Sequence, residues 1–169
     1  MDKVLDYKKM YVYKFILLLF ITVFSTTSIS AKKVDVTTTR YEIEGVETGS
    51  EGTYLVKVYV FTDKPEATAE QLKYAAVHGV LFKGFAGKGF AAQKAMVNRD
   101  VEITKADFFK AFWNNNDYLA YATIINDVAD RIKISKKEYK LAAIVSVSKD
   151  ELRKLLEDSG IIRGLNTGF

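Results

Sequence analysis

Apolar and polar positions alternate most cleanly in two pairs of neighbouring segments, and each pair is split by a turn. Val34 to Glu44 (VDVTTTRYEIE) is β-branched or aromatic at nearly every position until Gly45, Gly49 and Gly52 break the run. Tyr54 to Thr62 (YLVKVYVFT) then sets Val56, Val58 and Val60 against Leu55, Lys57, Tyr59 and Phe61. Period-2 alternation of this kind predicts a hairpin. Ala129 to Ser135 and Glu138 to Ser148 repeat the pattern around Lys136-Lys137 and predict a second hairpin.

Between the hairpins the period lengthens. Asp63 can cap a helix, Pro65 suits its first turn and Glu66 its positive end, while Ala69, Leu72, Ala75, Ala76 and Val80 or Leu81 form one apolar stripe. Gly79 offers an earlier stop, which would leave Val80 to Phe85 as a short buried strand. A second helix is expected from Thr104 to Asn116, with Thr104 as cap and Asp107 as its early acid. Phe108, Phe109, Phe112 and Trp113 share one broad face of it; core packing is the first use of that face, and any ring left uncovered would form a patch for a partner or a sugar. Tyr118 to Asn126 fits helix or strand. At the C-terminal end, Ser148 and Glu151 have capping-box spacing, Leu152, Leu155 and Leu156 make a stripe, Gly160 stops the helix, and Ile161-Ile162 pack back on the sheet. The expected fold is α+β, a two-layer sandwich with a mostly antiparallel sheet of four to five strands and helices on one face.

The N-terminal pattern is of another kind. Lys3, Lys8, Lys9 and Lys14 precede the unbroken apolar run Phe15 to Phe24, and the small-residue stretch Ser25 to Ala31 follows. The run is too short for the roughly 20 residues that a membrane-spanning helix needs. Residues 1–31 therefore read as a signal peptide cleaved after Ser30 or Ala31, with a retained signal-anchor as the alternative and Met10 as a second possible start. Residues 32–169 then form a single domain in the periplasm or outside the cell.

Export alters the meaning of the charge. The whole chain has 25 basic and 21 acidic residues, a net +4, and removing the four lysines and two aspartates of the signal leaves 21 against 19. That near balance, with no basic block, argues against binding a phosphate backbone, so nucleic acid is not an expected partner. There is no cysteine, which removes disulfides, thiol nucleophiles, thiolate metal sites and a lipidated Cys after the signal. No stable membrane anchor is expected after cleavage.

Candidate chemistry is sparse. Gly87-Lys-Gly89-Phe-Ala-Ala92 has the G-x-G-x-x-A spacing of a dinucleotide loop, but no acid closes a second βαβ strand. A phosphate-binding P-loop fails, because Phe82 stands where its first glycine belongs and Gly89 where Ser or Thr belongs. The segment reads as a surface loop, or as a contact loop presenting Phe85, Lys88 and Phe90 to a partner. His78 is the only histidine, so a multi-histidine metal site is excluded and no nucleophile turn accompanies it; a structural histidine hydrogen-bonded near a helix end is expected. Glu42 and Glu44 share a strand face and read as the solvated side of an edge strand, and Asp127 and Asp130 read as flanking a turn. No calcium loop is present. No catalytic residue, cofactor or metal ligand is assigned.

Val58 to Gly84 (VYVFTDKPEATAEQLKYAAVHGVLFKG) and Tyr139 to Ile162 (YKLAAIVSVSKDELRKLLEDSGII) resemble small exported domains of Bacteroidetes-type uncharacterised proteins. More distantly, they are similar to the periplasmic α+β modules of flagellar assembly protein T and of penicillin-binding-protein activator lipoproteins. The resemblance spans about a third of the chain and rests on strand and helix patterns. It implies a non-enzymatic envelope accessory protein that binds an envelope protein or cell-wall component. The activators' lipidated Cys is missing here. A small-ligand carrier is the alternative, followed by a glycan- or peptide-acting hydrolase.

Overall fold

Valine at alternate positions gives a strand one face that must leave water, and in this protein that face finds a helix. The computed structural model describes residues 35–48, 50, 52–87 and 90–164. The expected signal peptide, residues 1–31, lies outside the described residues. Strands β1 (Arg40–Thr48) and β2 (Thr53–Thr62) form the first hairpin and β5 (Ala122–Ser135) and β6 (Glu138–Ser148) the second. The hairpins join through β2 and β6, which pair antiparallel over ten residues from Thr53↔Ser148 to Thr62↔Tyr139. Val56, Val58 and Val60 thereby stand opposite Val145, Ala143 and Leu141 on one side, all fully buried. Burying each of the larger of these side chains is worth about 1.5–3 kcal/mol.

Helix α1 (Ala69–Phe82) lies across that side, packing on β1, β2, β5 and β6. Its start differs from the expected one. Asp63 to Glu66 form bends, and the cap is Thr68, whose hydroxyl accepts from Gln71 N at 3.3 Å while Gln71 Oε1 accepts from Thr68 N at 3.0 Å. This reciprocal box satisfies two N–H groups that Asp63 would leave open. Gly79 does not end the helix. A Cβ there would lie 2.6 Å from Ile43 Cδ1, so the glycine lets α1 approach β1 closely.

The chain leaves α1 through Gly84, whose positive φ (68°) and the 2.4 Å that would separate a Cβ from Gln93 O both require glycine. Strands β3 (Phe85–Gly87) and β4 (Phe90–Gln93) follow, and β3 pairs parallel to β1 at Gly45↔Gly87. The sheet therefore has six strands among the described residues, in the order β4-β3-β1-β2-β6-β5, and is mixed. The expected four to five strands is corrected, because the glycine-rich segment read as a loop pairs as strands; the pairings stay mostly antiparallel, and the parallel one, β1 with β3, arises because the helical crossover through α1 returns the chain beside β1 in β1's own direction. It also makes β1 an interior strand, so Glu42 and Glu44 are not on an edge.

Two further expectations change. The second helix is two, α2 (Arg99–Thr104) and α3 (Ala106–Asn114), because Lys105 (φ −115°, ψ 34°) breaks the run and Thr104 ends α2 instead of capping α3. Helix α4 (Lys149–Asp158) begins after Ser148 as expected, yet its capping box does not form; the Asp150 N–H donates to Gly52 O of the first hairpin at 3.2 Å instead. Phe109, Phe112, Trp113, Tyr118, Leu152 and Leu156 complete the core. No described helix is long and apolar enough to cross a membrane.

Candidate functional site, a groove between three helical segments

Helix α3 places Phe108 and Phe112 one turn apart, with rings stacked at 6.1 Å and 11°. The helix closes at Asn116, which adopts a left-handed conformation (φ 63°) and turns the chain into the 3-10 segment Asp117–Tyr121. Asparagine tolerates this backbone better than most residues. The turn brings the Tyr121 ring to 5.8 Å from that of Phe112. Leu155 of α4 stands across from them, and between these three segments lies an open groove of about 520 Å³.

Phe112 is buried, and Phe108, Tyr121 and Leu155 are half-buried. Ala111 and Ala120 keep the groove shallow, and Asn116 and Asp117 supply its polar lining. Leu155 is the member of the C-terminal stripe that the sheet does not cover, whereas Leu152 and Leu156 are in the core. Burial pushes the Tyr121 phenol upward, and the nearby Glu151 and Asp117 carboxylates add to the shift.

The densest polar cluster lies elsewhere, around His78. Tyr41 Oη is 2.5 Å from His78 Nδ1, and His78 Nε2 is 3.1 Å from Glu102 Oε1. A carboxylate only accepts, so Nε2–H donates to Glu102 and Nδ1 accepts from the Tyr41 hydroxyl. Both ring nitrogens are satisfied with the imidazole neutral, and burial lowers its pKa against the opposing pull of Glu102. Tyr74, Phe82 and Trp113 pack on the ring, and Lys83 Nζ sits 3.6 Å from the centre of the Tyr41 ring and 3.3 Å from the Tyr41 carbonyl oxygen.

Burial drives the Tyr41 and Tyr74 phenols far above their ordinary range, and Tyr118 is pushed up to about 12. A nucleophilic or general-base phenol needs the opposite shift. The cluster therefore holds β1, α1 and α2 together. This matches the structural histidine expected from sequence, although its partners lie on β1 and α2 and not at a helix end.

The remaining sequence candidates are dispersed. Phe85 is buried, with its ring 5.1 Å from that of Tyr54, and so is withdrawn from a contact surface. Lys88 lies outside the described residues, as does the side chain of Phe90. Glu42 binds Lys140 Nζ at 2.6 Å, and Glu44 accepts from the Tyr59 hydroxyl at 3.3 Å. Asp130 lies within β5 and not beside a turn, paired with Lys57 at 2.7 Å. Among the described residues no group of three or more His, Asp or Glu side chains could hold a metal ion.

Compared with protein-family models, curated protein sequences and solved structures, the chain finds no match.

Proposed function

We propose that this protein is an exported, non-enzymatic accessory module of the bacterial envelope, acting in the periplasm or outside the cell, that binds a partner through the groove between α3, the 3-10 segment and α4. The observation that carries this reading is the groove itself: three half-buried apolar side chains, Phe108, Tyr121 and Leu155, frame an open concavity over the buried ring of Phe112. Large apolar side chains around a concave patch are the usual anchor of a protein contact.

An enclosed carrier cavity would isolate its ligand, whereas this concavity is open along its length and suits a segment of another chain. Among the described residues the strand carboxylates are engaged and not poised as a hydrolytic pair, Glu42 and Asp130 by sheet lysines and Glu44 by Tyr59. The resemblance of Val58 to Gly84 and Tyr139 to Ile162 to exported modules points the same way.

The test is a photocrosslinking amino acid placed at Phe108, with a matched one at Tyr59 on the other side of the sheet, followed by irradiation in the native envelope and mass spectrometry. A defined adduct from position 108 and none from position 59 is expected. Adducts of equal yield from both positions, or none from 108, would overturn the assignment.

A further inference from the structure

The groove has a chemical preference that its apolar walls alone do not set. Its lining contains one ionisable acid, Asp117, and no Lys or Arg. Helix α3 ends over it with no basic residue in its last turn, so the negative end of the helix dipole is left without a neighbouring cation on that helix. Glu151 stands one turn before the groove residue Leu155 on α4 and is exposed, as is Asp117. Among the described residues neither acid is held in an ion pair; the nearby Arg153 is committed to Glu157 at 3.0 Å.

Lys73 reaches the 3-10 segment but spends its Nζ on the Leu119 carbonyl oxygen at 3.3 Å, which leaves Asp117, Glu151 and the C-terminal end of α3 as the negative groups around the apolar concavity. We propose that the groove takes a peptide segment in which an aromatic or aliphatic side chain is followed directly by Arg or Lys, the apolar side chain resting on Phe112 between Phe108 and Leu155 and the cation meeting Asp117 and Glu151. The inference rests on the groove being the contact site.

The contribution of each element can be bounded. A helix terminus and partly exposed ion pairs each contribute little in water, so the combined preference of cation over anion is about fivefold or more. Being solvent-facing, it weakens as salt rises above about 0.1 M.

The experiment is an NMR titration of the full chain with three probes, N-acetyl-Phe-Arg-amide, N-acetyl-Phe-Gln-amide and N-acetyl-Phe-Glu-amide, following the amides of Ala120, Tyr121 and Leu155. The expected order of affinity is Arg, then Gln, then Glu, with the Arg preference collapsing in the double variant Asp117→Asn, Glu151→Gln while the Gln-bearing probe binds it as before. Equal affinity for all three at the groove would overturn the cation preference and leave the groove standing as a site. Shifts confined to other surfaces, or no shift with any probe, would overturn the groove and with it the function proposed above. A persistent Arg preference in the double variant would remove Asp117 and Glu151 from the role assigned to them.

Discussion

The two sides of the sheet treat their charges in opposite ways. Away from α1, the side chains of β1, β2, β5 and β6 form a closed set: Lys140 pairs with Glu42, Lys57 with Asp130 and Arg40 with Glu138, while Tyr59 donates to Glu44. The two aromatic rings there are already covered, Phe61 by Arg40 at 4.2 Å and Tyr59 by Lys140 at 4.4 Å. A partner reaching these charges and rings would have to replace contacts the protein makes with itself, although Ile132 of β5 stands exposed on the same side. Around the groove the acids have no such internal answer and the rings are half open. Aromatic content therefore does not distinguish a binding surface from a solvated one; whether the rings and charges are already matched to each other does.

That contrast can be broken most forcefully at the core. Phe109→Ala removes a buried ring from the core between Phe82 and Trp113 and should cost about 3–5 kcal/mol, whereas Phe61→Ala on the opposite side should cost about 1 kcal/mol or less. Urea denaturation midpoints of the two variants would show the difference, and equal losses would mean that the closed set is as structural as the core.

The next effect is pH-dependent. His78 faces Tyr41 from β1, Tyr74 on its own helix, Glu102 and Arg99 from α2, and Lys83 beyond the end of α1. Its pKa in the folded chain is below the ordinary 6.5, so the unfolded chain binds the proton more readily. The neutral ring thus contributes fully above about pH 6.5, and that contribution is lost as pH falls below it. Stability of the wild-type chain should decline between pH 7 and 5 more steeply than that of His78→Gln. Parallel curves would show that the proton is accommodated without cost.

Smaller effects sharpen the comparison at the surface. Leu155→Ala should change stability by no more than about 1 kcal/mol yet abolish the adduct formed from position 108, because its half-buried side chain frames the groove more than it fills the core. Lys140→Gln should shift stability by about 0.5 kcal/mol or less and leave the adduct intact. Loss of the adduct in Lys140→Gln would place the contact on the wrong side of the sheet.

Much of this architecture was legible along the chain, for identifiable reasons. β6 runs from Glu138 to Ser148 as the alternation predicts, because every second side chain is buried on one side and the turn Lys136-Lys137 fixes where it starts. The start of α1 misled because Asp63 and Pro65 are strong local turn residues, and the quieter Thr68 and Gln71 make the box. Ser148 and Glu151 misled in the opposite sense: their box does not form, and the first turn of α4 is met instead by a carbonyl distant in sequence, Gly52 O, which accepts from Asp150 N–H.

The groove was half visible. Core packing was the first use expected of the four aromatics on one helix face; Phe109, Phe112 and Trp113 follow it, and Phe108 is left half-buried. Tyr121, Asp117 and Leu155 could not be joined to it from sequence, because the left-handed turn at Asn116 and the docking of α4 bring them together only in the fold. The polar string Asn114 to Asp117 before Tyr118 and Tyr121 was the available signal, and it marks the turn rather than the site.

β5 differs from its neighbour in length: it uses 14 residues alongside the 11 of β6, and its register slips at three places, between Ile124 and Asn126, between Asn126 and Asp130, and between Lys133 and Ser135. Among the described residues it is also the last strand of the sheet, and it exposes Ile125, Ile132 and Ile134. A straight outer strand bearing three isoleucines would offer a continuous ladder of amides for a stray chain to copy. The slips interrupt that ladder, so an incoming strand would have to be irregular at the same three places to match it. The extra residues of β5 thus leave the outer ladder interrupted where a strand of matched length would leave it continuous.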